Sequence, residues 1–281
     1  EIGGDAFKGC SGLKKVEVRG NLAKQSAAFM EAGTEGFEVI YGGNVTSIGN
    51  LFYNSAVKSI QIPEGVEEIQ DRAFYECTNI KEIILPESIK SVGNSAFQGC
   101  SAVNRLRIES PECSYGPYYF PSFAGIGENG LRIEFGKKVT VIPNIDLGPV
   151  VQHVTFEGKV EKIGDSAFYG GRKLEEIELP DSVTNVATAA FSHCQNLKTV
   201  KLSSGMTSLR KDTFAYSGLE SIEIPDSITT IKSGVFAYCS NLKSVTLPQT
   251  LKQMDEIVFY SCGSLESIVL PDSLTKIGDN L

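Results

Sequence analysis

The sequence predicts a right-handed, β-dominated solenoid of about twelve coils, most of them 22 or 23 residues long. Three observations support this fold class. A phenylalanine returns at a nearly constant interval, a short segment of alternating apolar residues follows it, and a proline ends that segment. Self-similarity at a period of about 20 to 50 residues is typical of repeat architectures, in which each unit buries its apolar surface against its neighbours.

The recurring phenylalanine marks each coil. The intervals between successive positions run from 21 to 26 residues, and the two units centred on residues 123 and 147 are the least regular. A core position that repeats once per coil stacks on itself, so these side chains are predicted to form a buried column. The positions are Phe7, Phe29, Phe52, Phe74, Phe97, Phe123, Leu147, Phe168, Phe191, Phe214, Phe236 and Phe259.

A short strand follows the phenylalanine in each coil. In "LEEIEL", Ile177 and Leu179 are predicted to point inward and Glu176 and Glu178 outward, because strand side chains alternate between two faces. A proline then turns the chain, since it has no N–H group to continue a ladder. The corner that carries "DSAF" is predicted to be a short helical or 3-10 turn. The prolines at the strand end are Pro63, Pro86, Pro180, Pro225, Pro248 and Pro271.

The domain organisation follows from the repeat. We predict a single solenoid over residues 1–281, with an irregular inserted segment at about 109–130. The chain enters directly at the start of a unit and stops one residue before the next expected phenylalanine. Solenoids usually finish in atypical capping repeats, so we expect a fragment of a longer chain.

Composition argues against two function classes. The formal net charge is −8, whereas a nucleic-acid-binding protein needs a basic surface. No run of about 18 apolar residues is present, so no membrane-spanning segment is predicted. The N-terminus shows no basic region followed by an apolar one, so no signal peptide is predicted in this stretch.

Six of the seven cysteines occupy one repeat position, three residues after the core phenylalanine. Other coils place a small residue there, and a free cysteine behaves as a small hydrophobic residue. We therefore predict buried, reduced thiols and no zinc site, because the spacing of a tetrahedral site is missing. The six are Cys10, Cys77, Cys100, Cys194, Cys239 and Cys262, whereas Cys113 lies in the irregular segment.

The pattern L-x-x-I-x-L-P-x-x-V-x-x-I-x-x-x-A-F-x-x-C resembles the BspA-like, or Treponema-type, leucine-rich repeat. The resemblance covers nearly the whole chain and fails between about 109 and 130. It implies a leucine-rich-repeat solenoid of the α/β-horseshoe class. It also implies a bacterial protein that is secreted or attached to the cell surface, with an adhesion-type role toward a host or matrix protein or a glycan.

The irregular segment and its neighbours form the candidate ligand site. Loops on a rigid scaffold often carry binding residues, and tyrosine is favoured in recognition surfaces. Three arginines on nearby strands add a local positive patch suited to carboxylate or sulfate groups. The alternative is a decayed repeat whose aromatic side chains pack over the core. The candidate contacts are Arg105, Arg107, Arg132, Tyr115, Tyr118 and Tyr119.

No catalytic motif stands out from the repeat, and we predict neither an enzyme nor a cofactor. His153 and Glu176 share an outward row and are suited in principle to acid–base chemistry, but an ordinary solvated sheet has the same appearance. The leading function is an interaction module that binds through the sheet face. The alternative is a structural spacer that displays another domain, and the sequence leaves the oligomeric state open.

Overall fold

The computed structural model describes residues 2–21, 27–115, 122–145 and 147–280. The chain divides into two compact units, Glu1–Val139 and Thr140–Leu281. Each unit is a stack of short parallel strands, and each is described below by itself.

Unit 1 contains ten described strands on two walls. The longer strands form the parallel sheets β1-β2-β4 and β6-β8-β10, and the two-residue strands form the parallel sheet β3-β5-β7-β9. The strands are β1 (Lys15–Val18), β2 (Phe37–Tyr41), β3 (Ser47–Ile48), β4 (Val57–Gln61), β5 (Glu68–Ile69), β6 (Glu82–Leu85), β7 (Ser91–Val92), β8 (Arg105–Ile108), β9 (Ser114–Tyr115) and β10 (Leu131–Phe135).

Unit 2 repeats this plan with twelve described strands. Its hydrogen-bonded sheets include β11-β13-β15, β14-β16, β18-β20 and β17-β19-β21-β22. A single 3-10 turn, Gly148–Val150, precedes the first longer strand. The strands are β11 (Val141–Ile142), β12 (Val151–Phe156), β13 (Lys162–Ile163), β14 (Glu176–Glu178), β15 (Asn185–Val186), β16 (Thr199–Lys201), β17 (Ser208–Leu209), β18 (Ser221–Glu223), β19 (Thr230–Ile231), β20 (Ser244–Thr246), β21 (Gln253–Met254) and β22 (Lys276–Ile277).

The repeat predicted from the sequence is the repeat of the structure, with about eleven turns. In the twelfth predicted coil the longer strand is reduced to an isolated bridge between Ser267 and Ser244. The predicted alternation also holds. Ile177 is buried between the outward side chains of Glu176 and Glu178.

The corners differ from the predicted helical turn. In the coil of Phe168, the residues two before and two after it, Ser166 and Gly170, have φ of 55° and 72°. Left-handed residues on both sides of the phenylalanine interrupt a helix, which needs negative φ throughout. The N–H groups of these three residues donate to carbonyl groups of the next coil at 2.8 to 2.9 Å. The left-handed residues therefore place a ladder of backbone hydrogen bonds between neighbouring corners. In a helical turn, the same N–H groups would bond to carbonyl groups of their own coil.

The core phenylalanines form the predicted column in each unit, but the prediction of burial was wrong for Phe7, which lies near the end of the stack and is 38% exposed. In unit 2, Phe191 stacks on Phe214 with ring centroids 5.6 Å apart, and Phe214 stacks on Phe236 at 5.9 Å. In unit 1, Phe74 and Phe97 stack at 5.3 Å with nearly parallel rings. These stacks bury large apolar side chains at one position per coil, which accounts for the regular interval in the sequence.

All seven cysteines are free thiols, but the prediction that the whole column of six is buried was wrong. Cys10 is exposed and Cys262 is half-buried, because each belongs to a coil near one end of the described stack. Between them, Cys194 donates its S–H to the carbonyl of Phe168 at 3.2 Å. Burial raises the pKa of the thiols of Cys77 and Cys194 to about 12.

Candidate functional site

The predicted arginines lie on the sheet β6-β8-β10 of unit 1. Arg105 and Arg132 are directly opposite each other on β8 and β10, and Arg107 is opposite Glu134. Arg105 donates from Nε to Glu134 Oε1 at 3.0 Å and from Nη2 to Glu134 Oε2 at 2.7 Å. Arg107 Nη1 also donates to Glu134 Oε2, at 3.2 Å. One carboxylate therefore orients two guanidinium groups.

Two further carboxylates complete this arginine–glutamate network. Arg105 forms a salt bridge with Glu82, and Arg107 forms one with Glu109. The sequence interpretation missed Glu82 and Glu109 as partners. The coil period could have identified Glu82 as a partner, because it lies 23 residues before Arg105 and opposite it on β6.

The network neutralises much of the predicted positive patch. Hydrogen bonding from Arg105 lowers the pKa of Glu134, with contributions from Arg107, against a smaller effect of burial in the opposite direction. The pKa of Arg105 is raised, chiefly by its hydrogen bond to Glu134. Arg132 is exposed and forms no salt bridge among the described residues. Arg132 is thus the member of the predicted set that presents its charge to solvent.

The predicted tyrosines lie away from this sheet face or outside the described residues. Tyr115 is in β9, on the sheet of two-residue strands, where it pairs with Val92 of β7. It is half-buried, and its ring centroid lies 5.9 Å from that of Phe123. Burial raises the pKa of its hydroxyl well above the ordinary value. Tyr118 and Tyr119 fall in the part of the chain that is not described.

Unit 2 carries a cavity of about 380 Å³ at the start of its longer strands. His153 and Glu176, which the sequence placed in one row, both line it. Two lysines and a second glutamate also line the cavity, so its wall carries both positively and negatively charged side chains. Among the described residues, no group of three or more histidine, cysteine, aspartate or glutamate side chains is placed to hold a metal ion. The lining residues are Gln152, His153, Lys173, Glu175, Glu176, Lys198 and Thr199.

An exposed column of aromatic rings runs along the corners of unit 2. The rings contact each other from coil to coil with centroids 4.4 to 5.4 Å apart, outside the buried phenylalanine column. The contacts of Tyr216 with His193 and Tyr238 are stacked, whereas Tyr238 and Tyr260 meet edge to face. The sequence interpretation missed it, although an aromatic or histidine one or two residues after the core phenylalanine was the available signal. The aromatic column consists of Tyr169, His193, Tyr216, Tyr238 and Tyr260.

The stacked parallel strands, the proline-ended repeats and the phenylalanine columns define a leucine-rich-repeat protein. The BspA-type leucine-rich repeat region matches residues 46–144 and 152–281 in six copies, and the chain belongs to this family. No curated protein matches the chain. Proteins with this repeat and fold are typically non-enzymatic, and as a group they suggest a protein-interaction or adhesion role.

Two solved bacterial structures share the fold, and a third is similar at a lower TM-score. A leucine-rich-repeat protein from Bacteroides ovatus is 23% identical, with a TM-score of 0.51 over 84% of this chain and 79% of that one. One from Eubacterium ventriosum is 21% identical, with a TM-score of 0.51 over 94% and 81%. A leucine-rich cell surface protein from Faecalibacterium prausnitzii is 22% identical, with a TM-score of 0.39 over 82% and 86%.

Within the described ranges, no helix has the length and apolar character that a membrane crossing requires.

Proposed function

We propose that this protein is a secreted or surface-attached, adhesion-type module that binds an acidic glycan or a protein of the host or its matrix through the sheet face of unit 1. The candidate contacts on this face are Arg105, Arg107 and Arg132. Of the predicted tyrosines, Tyr115 lies on the sheet of two-residue strands, and Tyr118 and Tyr119 lie outside the described residues. The observation that carries the proposal is the placement of three guanidinium groups on adjacent rigid strands, with Arg132 exposed beside Arg105.

The network suits an acidic ligand group. Adjacent strands are about 4.8 Å apart, so the guanidinium groups of Arg105 and Arg132 lie within reach of one carboxylate or sulfate. Glu134 holds Arg105 in a bidentate pair, which restricts its rotamers before a ligand arrives. A ligand contacts Arg132 directly and has to compete with Glu134 for the other two. We therefore expect Arg132 to contribute most of the binding energy.

The test compares binding of hyaluronan, dextran sulfate and neutral dextran. The first presents carboxylates, the second presents sulfates and the third has no charge. We expect an acidic polymer to bind, and Arg132→Ser to weaken it by about tenfold, or about 1.4 kcal/mol. The triple change of Arg105, Arg107 and Arg132 to Ser should abolish it, and added salt should weaken it because ions screen exposed charges.

Lys201→Ser is the matched control, because Lys201 is also an exposed cation on a strand face and pairs with Glu178. Each variant is compared with the wild type by thermal unfolding. Equal binding by the wild type and the triple variant would contradict the site. If none of the three polymers nor a panel of matrix proteins binds, the structural-spacer function is favoured. Labelling of intact source cells with a membrane-impermeant reagent tests the surface location.

A further inference from the structure

We propose that the aromatic column of unit 2 is a second interaction surface, and that its ligand is a protein with an uncharged, partly apolar contact surface. The rings are exposed, with 47% of Tyr169 and 41% of both Tyr216 and Tyr238 accessible to solvent. Tyr216 and Tyr238 stack at 4.4 Å with an interplanar angle of 9°, and His193 stacks on Tyr216 at 4.5 Å. This surface is separate from the arginine–glutamate network of unit 1.

The backbone shows that the corner does not favour these residues. His193, Tyr216 and Tyr238 each lie two residues after the core phenylalanine and have φ of 58° to 61°. A left-handed conformation costs a residue with a Cβ atom about 1 to 2 kcal/mol. Four other coils place glycine at this position, namely Gly9, Gly99, Gly125 and Gly170. Four further coils place Glu31, Asn54, Glu76 and Ser261 there, also with positive φ, so the turn itself does not call for an aromatic ring.

The core does not require the rings. The residues just before Tyr216 and Tyr238 are Ala215 and Ala237, and these small side chains are the ones that are buried, at 4% exposure each. Stacking between two aromatic rings contributes about 0.5 to 1.5 kcal/mol beyond burial. The solvent-exposed part of each ring adds nothing to the buried core.

The stacking geometry selects the ligand class. Both faces of Tyr216 are covered, by His193 on one side and Tyr238 on the other. No face of this ring is open for a sugar ring or a nucleic-acid base to stack on. The ring edges of Tyr216 and Tyr238 remain accessible to solvent, since 41% of each residue is exposed. Edges and hydroxyls suit the mixed apolar and polar surface of a protein.

The flanks of the column support the same ligand class. The exposed residues that follow it in the coils of Phe191 and Phe236 are Gln195, Asn196, Ser240 and Asn241. On the preceding side, Asp212 lies 3.9 Å from Lys211 in a salt bridge. Tyrosine surrounded by serine, asparagine and glycine is typical of protein-recognition surfaces such as antibody loops.

The experiment selects ligands from a phage-displayed library of random twelve-residue peptides on the full 281-residue chain. The test variant is the double change Tyr216→Asn and Tyr238→Asn. Asparagine tolerates the left-handed conformation, and Asn54 already occupies the same repeat position with φ of 48°. The matched control is Tyr53→Asn with Tyr75→Asn, since these rings also stack, at 4.9 Å, but are less exposed.

We expect most independently selected peptides to bind the test variant at least tenfold more weakly than the wild type, and to bind the control variant unchanged. Thermal unfolding checks that both variants are folded. Peptides that bind both variants equally, or a failure to enrich any peptide, would overturn the proposal. So would binding of the neutral oligosaccharide cellohexaose that the test variant loses. A wild-type dimer that becomes a monomer in the test variant would reassign the column to self-association.

Discussion

Phe214 and Tyr216 lie two residues apart in the same coil, and each stacks on its counterpart in the next coil. Phe214 is fully buried, whereas Tyr216 is 41% exposed. The spacing of the coils imposes both stacks, so stacking by itself does not distinguish a structural residue from a functional one. Burial makes the distinction, because removal from water is the dominant source of stability.

The largest expected effect is on the buried column. Phe214→Ala should lower the free energy of unfolding of the protein by about 3 to 5 kcal/mol, because it removes a fully buried ring and leaves a cavity between Phe191 and Phe236. Denaturant titration measures the change, and Phe214→Leu is the milder control. A loss below about 1 kcal/mol would mean that neighbouring coils close the cavity and that the two columns are equivalent.

The next largest effect is expected on the pH dependence of stability, and it comes from the buried cysteine thiol of the same coils. The pKa of Cys194 is raised to about 12 from an ordinary value of 9.0, chiefly by burial. The folded state thus holds this proton more tightly than the unfolded state does. The associated stability is complete below pH 9 and is lost as the pH rises toward 12. Between pH 8 and 10 we expect a loss of about 1 kcal/mol from this thiol.

Unfolding at both pH values is compared for the wild type, Cys194→Ala and Cys10→Ala. The difference between pH 8 and 10 should shrink in Cys194→Ala, whereas removal of the exposed Cys10 should leave it unchanged. An identical pH dependence in all three proteins would show that the Cys194 thiol gains solvent access in the folded state.

A smaller effect is expected at the arginine–glutamate network, which is intermediate between buried and exposed. Glu134→Gln removes the carboxylate that two arginines share, and partial solvation keeps the expected loss of stability below about 1 kcal/mol. The pKa of Glu134 is lowered, so its contribution is present above the ordinary value of 4.5 and is lost as the pH falls through the folded value.

Thermal unfolding of Glu134→Gln and of the wild type at pH 7 and pH 3 measures this contribution. The difference between the two proteins should be smaller at pH 3. Glu178→Gln, which changes an exposed carboxylate paired with Lys201, should have a still smaller effect. A larger loss at pH 3 than at pH 7 would contradict the assigned direction.

The smallest effect is expected at the exposed column. Tyr216→Gly loses the stacks on His193 and Tyr238 but releases the left-handed strain, so these terms oppose each other and the net change should be smaller than that of Phe214→Ala, at about 1 kcal/mol. Calorimetric unfolding measures it against Phe214→Ala. A loss as large as that of the phenylalanine variant would assign the aromatic column to the core.

Much of the fold was predictable because one residue type marks each coil. The phenylalanine column and the alternation of Glu176, Ile177 and Glu178 follow from the burial of apolar side chains, which the residue types report directly. The corners were not predictable in the same way. Left-handed φ occurs at Arg72, Ser166 and other residues that do not favour it, because hydrogen bonds to the next coil impose it.

The candidate site was predictable only in part. The repeat predicted that Arg105 and Arg132 lie in one outward row, and in the structure they are opposite each other on adjacent strands. The bidentate pairing of Arg105 with Glu134 depends on side-chain rotamers, which no repeat pattern reports. The sequence pattern did not reveal the aromatic column because the position of the ring varies between coils. It lies one residue after the phenylalanine at Tyr169 and two residues after it at Tyr216.

The ladder of corner hydrogen bonds also governs where a coil can change its length. The five residues from Ser166 to Gly170 place three N–H groups opposite three carbonyl groups of the next coil, so an insertion there would shift every later bond out of register. Length variation has to fall outside the corner. The interval from Phe214 to Phe236 is one residue shorter than the interval before it, and the shortened turn contains Gly218. A Cβ atom there would lie 2.1 Å from the carbonyl oxygen of Gln195, so the shortened turn of this coil requires glycine.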